Sequence, residues 1–406
     1  MKRRSGINMS DVKMSNRGLI LSQIRTNPKP RKNIADKIKL TPAAVTILVN
    51  ELIEQGCIRE SGQVSEPTRV GRKKVYIELD KNYKYAFGIN IEGSHINVCL
   101  GNLKAEIIEY TNDNIQGLSP EEVLGIAVDN INELIARQKL NKEQILGIGV
   151  GIVGYVDTER GLSKHAYGLW DVEVDIESYL FEALDLPVVV ENNVRALALA
   201  EMELTIHHKN RNMVFMKLGP GIGSAIILDN DIYKGSYNNA GELGHMVIDL
   251  EGKKCRCGQV GCLETVASIA VLLEEIKAGF TKVDYPILYD LVEGDSDRLT
   301  EEHIIDAYLE GDSLVIEHVD KLICFISISV INSINFYDPN KIVIFSKMFQ
   351  EPIFMEKLVQ VVLQRGNNED IEDRIEPSRL DTQKGVGGLV LVVNELFFKI
   401  GATVSN

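Results

Sequence analysis

The sequence predicts an α/β protein in which a small basic head precedes a much larger acidic body. Three observations predict it. Residues 1–80 carry 16 Lys and Arg against 8 Asp and Glu, and the rest of the chain carries 28 against 50, so the overall charge of −14 conceals two parts of opposite sign. The first eighty residues show three amphipathic helical patterns followed by two short strand patterns. From Tyr85 onward, apolar strand-like runs interrupted by glycine alternate with helical patterns.

A chain of 406 residues is long enough for two or three domains with sizeable cores. Its 45% hydrophobic and 25% charged residues are those of an ordinary soluble protein. No apolar run reaches the ~18 residues of a membrane span, and the basic N-terminus lacks the apolar core of a signal peptide. The expectation is a cytoplasmic protein without a membrane partner. A basic module on an acidic body is what a nucleic-acid-binding head on a metabolite-sensing domain requires.

Residues 1–15 read as polar and ill-ordered. Leu19, Ile20 and Ile24 suit one face of a first helix, and Ile34, Ala35 and Ile38 a second that begins after Pro30. Thr41 is placed to cap a third helix with Pro42 at its first position, Val45, Leu48, Val49, Leu52 and Ile53 on its apolar face, and Gly56 at its end. Strands over Cys57 to Glu60 and Lys74 to Leu79 would flank a hairpin carrying Arg69, Arg72, Lys73 and Lys74. The pattern is a winged helix-turn-helix over residues 1–80. Its cationic hairpin would reach phosphates, while Thr41, Ala43, Ala44, Thr46 and Asn50 would face base edges, where Thr and Asn can hydrogen-bond and Ala can meet a thymine methyl. A winged helix can also serve as a protein-interaction module.

The stretch from Gly241 to Glu264 holds His245, Cys255, Cys257 and Cys262 among Gly252, Gly258 and Gly261. Four soft or borderline ligands so close together, on a chain able to fold back, suit a tetrahedral structural zinc site of the Cys3His type. The alternative is buried thiols or a disulfide; Cys-x-Cys spacing and a reducing cytosol disfavour the disulfide. Glu242 and Glu264 flank the same loop, and carboxylates with an imidazole beside a rigid loop suit vicinal hydroxyls. The segment resembles the signature of the ROK family, whose members are sugar kinases and sugar-responsive repressors.

The resemblance covers nearly the whole chain, and it implies a two-lobed actin/sugar-kinase-like body of the ribonuclease H-like type. Its first lobe would span 81–200 with a C-terminal helix from 384–406, and its second, carrying the zinc site, 201–383. The same resemblance implies a sugar site formed by Asn192, Asn193, Glu242, His245 and Glu264. Kinases of the family carry an Asp where Asn90 stands and a general-base Asp where Asn193 stands. They carry Gly-Thr-Gly-x-Gly where this chain has Gly219-Pro220-Gly221, and Gly-Gly where it has Phe345-Ser346-Lys347. An amide can bond a hydroxyl but cannot take its proton, and Pro220 removes both a hydroxyl and an N–H donor. Asn192 and Asn193 could instead merely cap the following helix.

The resulting expectation is a non-enzymatic repressor of carbohydrate genes, bound as a homodimer or dimer of dimers to a double-stranded DNA operator and controlled by a sugar or sugar derivative. An active ATP-dependent sugar kinase with an appended head is the alternative, and a purely structural or protein-recruiting module a third reading.

Overall fold

The computed structural model of the chain describes residues 8–64, 74–205, 212–366, 370–380 and 385–403. Two compact units are present: residues 1–200 together with 381–406, and residues 201–380.

The first unit begins with α1 (Met9–Ile24), β1 (Lys29–Pro30), α2 (Arg31–Ile38), α3 (Pro42–Glu54), β2 (Ile58–Val64) and β3 (Lys74–Leu79). β3 pairs antiparallel with both β1 and β2, so the head consists of three helices and a three-stranded sheet. Thr41 caps α3 by accepting from the Ala44 N–H at 3.2 Å, and Pro42 is the first helical residue. Val45, Leu48, Val49 and Leu52 bury the inner face of α3.

Three expectations are corrected here. α1 starts at Met9, not near Asn16, because Asn8 caps it by accepting from the Asp11 N–H. Leu19 is 45% exposed, and Leu21 takes its place beside Ile20 and Ile24 in the core. The first wing strand runs on to Val64 through a bulge between Ser61 and Gln63. Arg69, Arg72 and Lys73 lie outside the described residues, and Lys74 opens β3.

The rest of the unit is a five-stranded sheet with helices on it. Its strands are β4 (Tyr85–Glu92), β5 (His95–Asn102), β6 (Ile107–Asn114), β7 (Ile145–Ile152) and, after a small sheet of β8 (Tyr155–Asp157), β9 (Leu162–His165) and β10 (Val174–Asp175), β11 (Val188–Asn192). The order is β11-β7-β4-β5-β6, parallel from β11 to β4 and antiparallel from β4 to β6. α4 (Pro120–Gln138) and α5 (Ile176–Leu184) join one core with the sheet through Phe87, Ile89, Val98, Ile131 and Leu180. α6 (Asn193–Leu204) leaves the end of β11 directly.

Glycines place the C-terminal helix, Val386–Val393, against β4 and β7. A Cβ on Gly149 would lie 2.0 Å from the Gly388 carbonyl oxygen, and one on Gly88 would lie 2.4 Å from that of Gly385. After the helix, a π-turn over Asn394–Phe398 brings the chain to the head. There the Arg25 guanidinium stacks 4.3 Å from the centre of the Phe398 ring, and the Gln55 amide donates to the Ala402 carbonyl at 2.5 Å. Gly18 has no room for a side chain because the Phe398 carbonyl oxygen would be 2.4 Å away.

The second unit holds the sheet β14-β13-β12-β15-β16, made of β12 (Met213–Leu218), β13 (Ile222–Leu228), β14 (Asp231–Ile232), β15 (Lys341–Phe345) and β16 (Ile375–Pro377). Helices α7 (Glu264–Ala267), α8 (Ile269–Ala278), α9 (Pro286–Leu291), α10 (Glu301–Glu310), α11 (Ser313–Tyr337), α12 (Pro352–Arg365) and α13 (Ile371–Arg374) complete it. Its core centres on the apolar face of α11, with Leu322, Ile323, Ile326 and Val330. No helix among the described residues is long and apolar enough to cross a membrane.

Gly149→Ala is expected to destabilise the protein at or above the upper end of about 1–3 kcal/mol, because the contact it breaks is backbone against backbone. A falling urea midpoint measures this; an unchanged midpoint would mean that the helix does not sit this close.

Candidate metal centre and polar cluster

His245, Cys255, Cys257 and Cys262 offer four ligand atoms that all lie within 4.8 Å of one another. The Cys257 and Cys262 sulfurs are 3.7 Å apart, and the Cys255 sulfur is 3.6 Å from His245 Nδ1. An ion at the centre of a tetrahedron with Zn–S bonds of about 2.3 Å separates two sulfurs by about 3.8 Å, so the donor set fits an ion of that size.

The local chain explains the convergence. Bridges between Lys254 and Val260 and between Val247 and Cys262 form a tight hairpin, with Cys255 N–H donating to the Gln259 carbonyl at 2.8 Å. Gly258 turns it at φ 95°. Gly261 is obligatory twice over: its φ is 75°, and a Cβ there would lie 1.5 Å from the Asp249 carbonyl oxygen. His245 comes from a single 3-10 turn, Leu243–His245, against which Gly244 presses on the Ile222 carbonyl. Burial, and after it the Glu264 carboxylate, pushes the Cys255 thiol up. A bound cation reverses that pressure by stabilising the thiolate.

Glu264 opens α7 and is buried. Its carboxylate accepts from the Cys255 thiol at 3.1 Å and from Arg256 at 3.3 and 3.2 Å, and lies 3.7 Å from His245 Nδ1. Arg256 also stands where a side chain on Gly221 would be, 2.6 Å from a Cβ there. Glu242, next to the 3-10 turn, is exposed. Glu242, His245 and Glu264 are thus gathered around one loop in the second unit.

Asn192 and Asn193 lie in the first unit at the junction of β11 and α6. They divide the work. The Asn192 side chain accepts from the Val194 and Arg195 N–H groups at 2.9 and 3.2 Å, as a helix cap does, and donates to the Gly154 carbonyl at 2.9 Å. Asn193 does not cap. Its amide donates to the Glu92 carboxylate at 2.9 Å, and the same carboxylate oxygen receives the Asn90 amide at 3.4 Å. Asn193 is 2% exposed, and its carbonyl oxygen is buried with no hydrogen-bond partner. Asn97, directly across the strand pair from Asn90, is also buried with an unpartnered carbonyl oxygen. Glu92 thus joins the amides of Asn90 and Asn193, and its separation of 101 residues from Asn193 hides this in the sequence.

At the end of β15, Phe345 is buried against Phe215 with ring centres 5.7 Å apart. The next residues are tied down as well: Lys347 pairs with Glu302, and the Met348 N–H donates to Glu301 at 2.9 Å.

In the head, Ala43, Thr46 and Asn50 are exposed along α3, Ala44 is half-buried, and Thr41 is engaged as the cap. Ile47, which the sequence reading passed over, shares the exposed face at 61% exposure. Its spacing, four after Ala43 and three before Asn50, was the available signal.

Replacing Cys257 by Ser is expected to lower the bound metal below half an equivalent per chain and to lower the melting temperature, read by elemental analysis and calorimetry. Unchanged metal content would remove Cys257 from the donor set.

Residues 86–395 match the model of the ROK family. The chain is 31% identical over 393 residues to the xylose repressor of Caldicellulosiruptor bescii, which covers 94% of this chain and 96% of that one. It is 25% identical over 338 residues to the DNA-binding transcriptional dual regulator NagC of Escherichia coli K12, covering 83% and 81%. A solved ROK family transcriptional regulator, described as a homologue of the E. coli MLC protein, matches with a TM-score of 0.80 and 26% identity over 97% of this chain and 98% of its own. A ROK family glucokinase from Streptomyces griseus shares the fold, with a TM-score of 0.65 at 23% identity over 76% of this chain and 98% of its own. With three quarters of its length inside the family model and relatives that match it nearly end to end, the chain belongs to the ROK family.

Proposed function

We propose that the protein is a sugar-responsive transcriptional repressor of carbohydrate genes, which binds an operator through its head and transfers no phosphoryl group. The observation that carries this reading is one of coverage. The xylose repressor of Caldicellulosiruptor bescii and the solved ROK regulator match 94% and 97% of the chain, head included, whereas the glucokinase is spent on 76% of it. The polar cluster supports the absence of catalysis, since the amides of Asn90 and Asn193 can neither take a proton from an attacking hydroxyl nor supply a charged partner to magnesium.

In this reading Thr41, Ala43, Ala44, Thr46 and Asn50 lie toward the bases and Arg69, Arg72, Lys73 and Lys74 toward phosphates. Asn192 and Asn193 in the first unit, and Glu242, His245 and Glu264 in the second, are each offered as groups for effector hydroxyls, with Asn193 contributing an acceptor oxygen whose direction Glu92 fixes. A structural zinc held by His245, Cys255, Cys257 and Cys262 keeps the loop that carries three of those residues in place. The protein acts in the cytoplasm, and a homodimer or dimer of dimers would match a two-fold operator. The effector controls operator binding by favouring one arrangement of the heads over another, which requires a difference in its affinity for the two. D-xylose is the first sugar to test, given the two xylose repressors of about 30% identity that match 94% of the chain.

Genomic fragments selected on the immobilised, zinc-loaded protein and then eluted with single sugars at constant salt test this reading. Specific fragments released by D-xylose or another sugar support it; the absence of any specific fragment overturns it. Replacing Arg72 and Lys73 by Ala is expected to weaken binding to all sequences alike and to reduce the slope of log K against log salt by about two per head. An unchanged slope would take these residues away from the phosphates.

A further inference from the structure

We infer that Ile47 is a specificity-determining residue of the head, seating its side chain, with the methyl of Ala43, against the 5-methyl group of a thymine in the major groove. The inference rests on the DNA-binding reading above and adds to it what α3 can read.

The outer face of α3 presents Ala43, Thr46, Ile47 and Asn50 at helical spacing, and residues 41–50 contain no Asp or Glu that would repel a phosphate. Lys32, Lys37 and Lys39 are exposed on and just beyond α2, which packs against α3, and the acidic residues of α3, Glu51 and Glu54, lie in its last turn. An exposed isoleucine in such a setting does not suit an apolar protein partner, whose contact would bury those charges, but it suits a polyanion that carries scattered methyl groups.

The polar side chains of this face have committed much of their hydrogen-bonding capacity within the head. The Thr41 hydroxyl accepts from the Ala44 N–H at 3.2 Å. Thr46 donates its hydroxyl proton to the Pro42 carbonyl at 2.7 Å and so presents lone pairs and a methyl group outward. Arg31 donates to the Asn50 carbonyl oxygen at 3.3 Å while it pairs with Glu60 at 2.8 Å. Asn50 then offers its NH2 to an acceptor such as purine N7 or thymine O4, and the two-bond pairing with adenine, which needs its oxygen, is not available while Arg31 holds it. What remains uncommitted at the centre of the face is apolar surface, 61% exposed at Ile47. Among the groups lining the major groove, the thymine methyl is the apolar one.

The test uses the full-length zinc-loaded protein and an operator selected from random duplexes at fixed salt. Each thymine of the selected site is replaced singly by deoxyuridine, which removes only the methyl, and affinity is measured for the wild type and Ile47→Ala. One thymine in each half-site is expected to lose about three- to tenfold in affinity on replacement with the wild type and to lose clearly less with Ile47→Ala, where only the Ala43 methyl remains against it. Should Ile47→Ala bind too weakly to measure, Ile47→Val, which removes one methyl, is expected to show the same coupling at reduced size. A selected operator in which no deoxyuridine penalty depends on residue 47 overturns the inference and leaves the repressor reading standing. Failure to select any duplex overturns both.

Discussion

The first unit depends on one contact, the backbone-to-backbone approach of the C-terminal helix to the central strands. Gly88 and Gly149 on the sheet meet Gly385 and Gly388 on the helix, and in each pair an added methyl would sit inside the van der Waals radius of a carbonyl oxygen. Such closeness gains dispersion contact for both backbones, and it holds a helix from the far end of the chain against the middle of a sheet built some 240 to 300 residues earlier. The same segment then supplies Phe398, Gly401 and Ala402 to the head. Gly401 fits only because it has no side chain, as a Cβ would lie 2.5 Å from the Met14 carbonyl oxygen. The head is therefore docked on the terminal turn of this helix as well as tethered through the short link from Leu79 to Tyr85.

Beside that contact, Asn90, Glu92, Asn97 and Asn193 form a polar cluster at one end of the first unit's sheet. A single carboxylate, that of Glu92, sits between the amides of Asn90 and Asn193. The arrangement is consistent electrostatically. Two carboxylates at 2.9 Å could not both ionise, whereas an amide N–H facing a carboxylate is stabilised and its orientation settled. A fixed Asn193 amide leaves its carbonyl oxygen as an acceptor in a buried place, which costs free energy unless something donates to it. A hydroxyl-bearing ligand meets that need without any proton transfer.

What the sequence disclosed and what it withheld divide by distance along the chain. The α3 cap needed only Thr41 and Pro42, and the metal loop only the spacing of His245, Cys255, Cys257 and Cys262, because each is built within a few turns of backbone. The start of α1 was missed since Asn8 caps a helix whose first turns are polar, leaving no apolar period to see. Leu19 was assigned inward and Leu21 overlooked, a one-residue ambiguity that helical periodicity alone cannot resolve. The pairing of Glu92 with Asn193, the commitment of Asn50 to Arg31 and the Arg256 guanidinium against Glu264 required tertiary neighbours or side-chain conformations, and no pattern in the residues announces them. Asn192 and Asn193, adjacent and chemically identical, were read as a pair, yet one caps α6 and the other faces across the sheet.

The route by which a bound ligand could alter the head is narrowed by the same geometry. Asn90 and Glu92 follow Gly88 on β4 by two and four residues, and Gly88 bears on the start of the C-terminal helix. A ligand that shifted this strand would meet a helix with no slack, since neither glycine pair can close further. The displacement would have to be absorbed where the helix is least regular, at the π-turn of Asn394–Phe398, which is where the head rests. The energy required is modest: a hundredfold change in operator affinity corresponds to about 2.7 kcal/mol of differential binding, within reach of two or three hydrogen bonds made in only one of two states. In such a scheme Arg25, buried and stacked on the Phe398 ring, would move with that turn. A switch between operator-competent and operator-incompetent states requires two discrete poses of the head instead of a continuum.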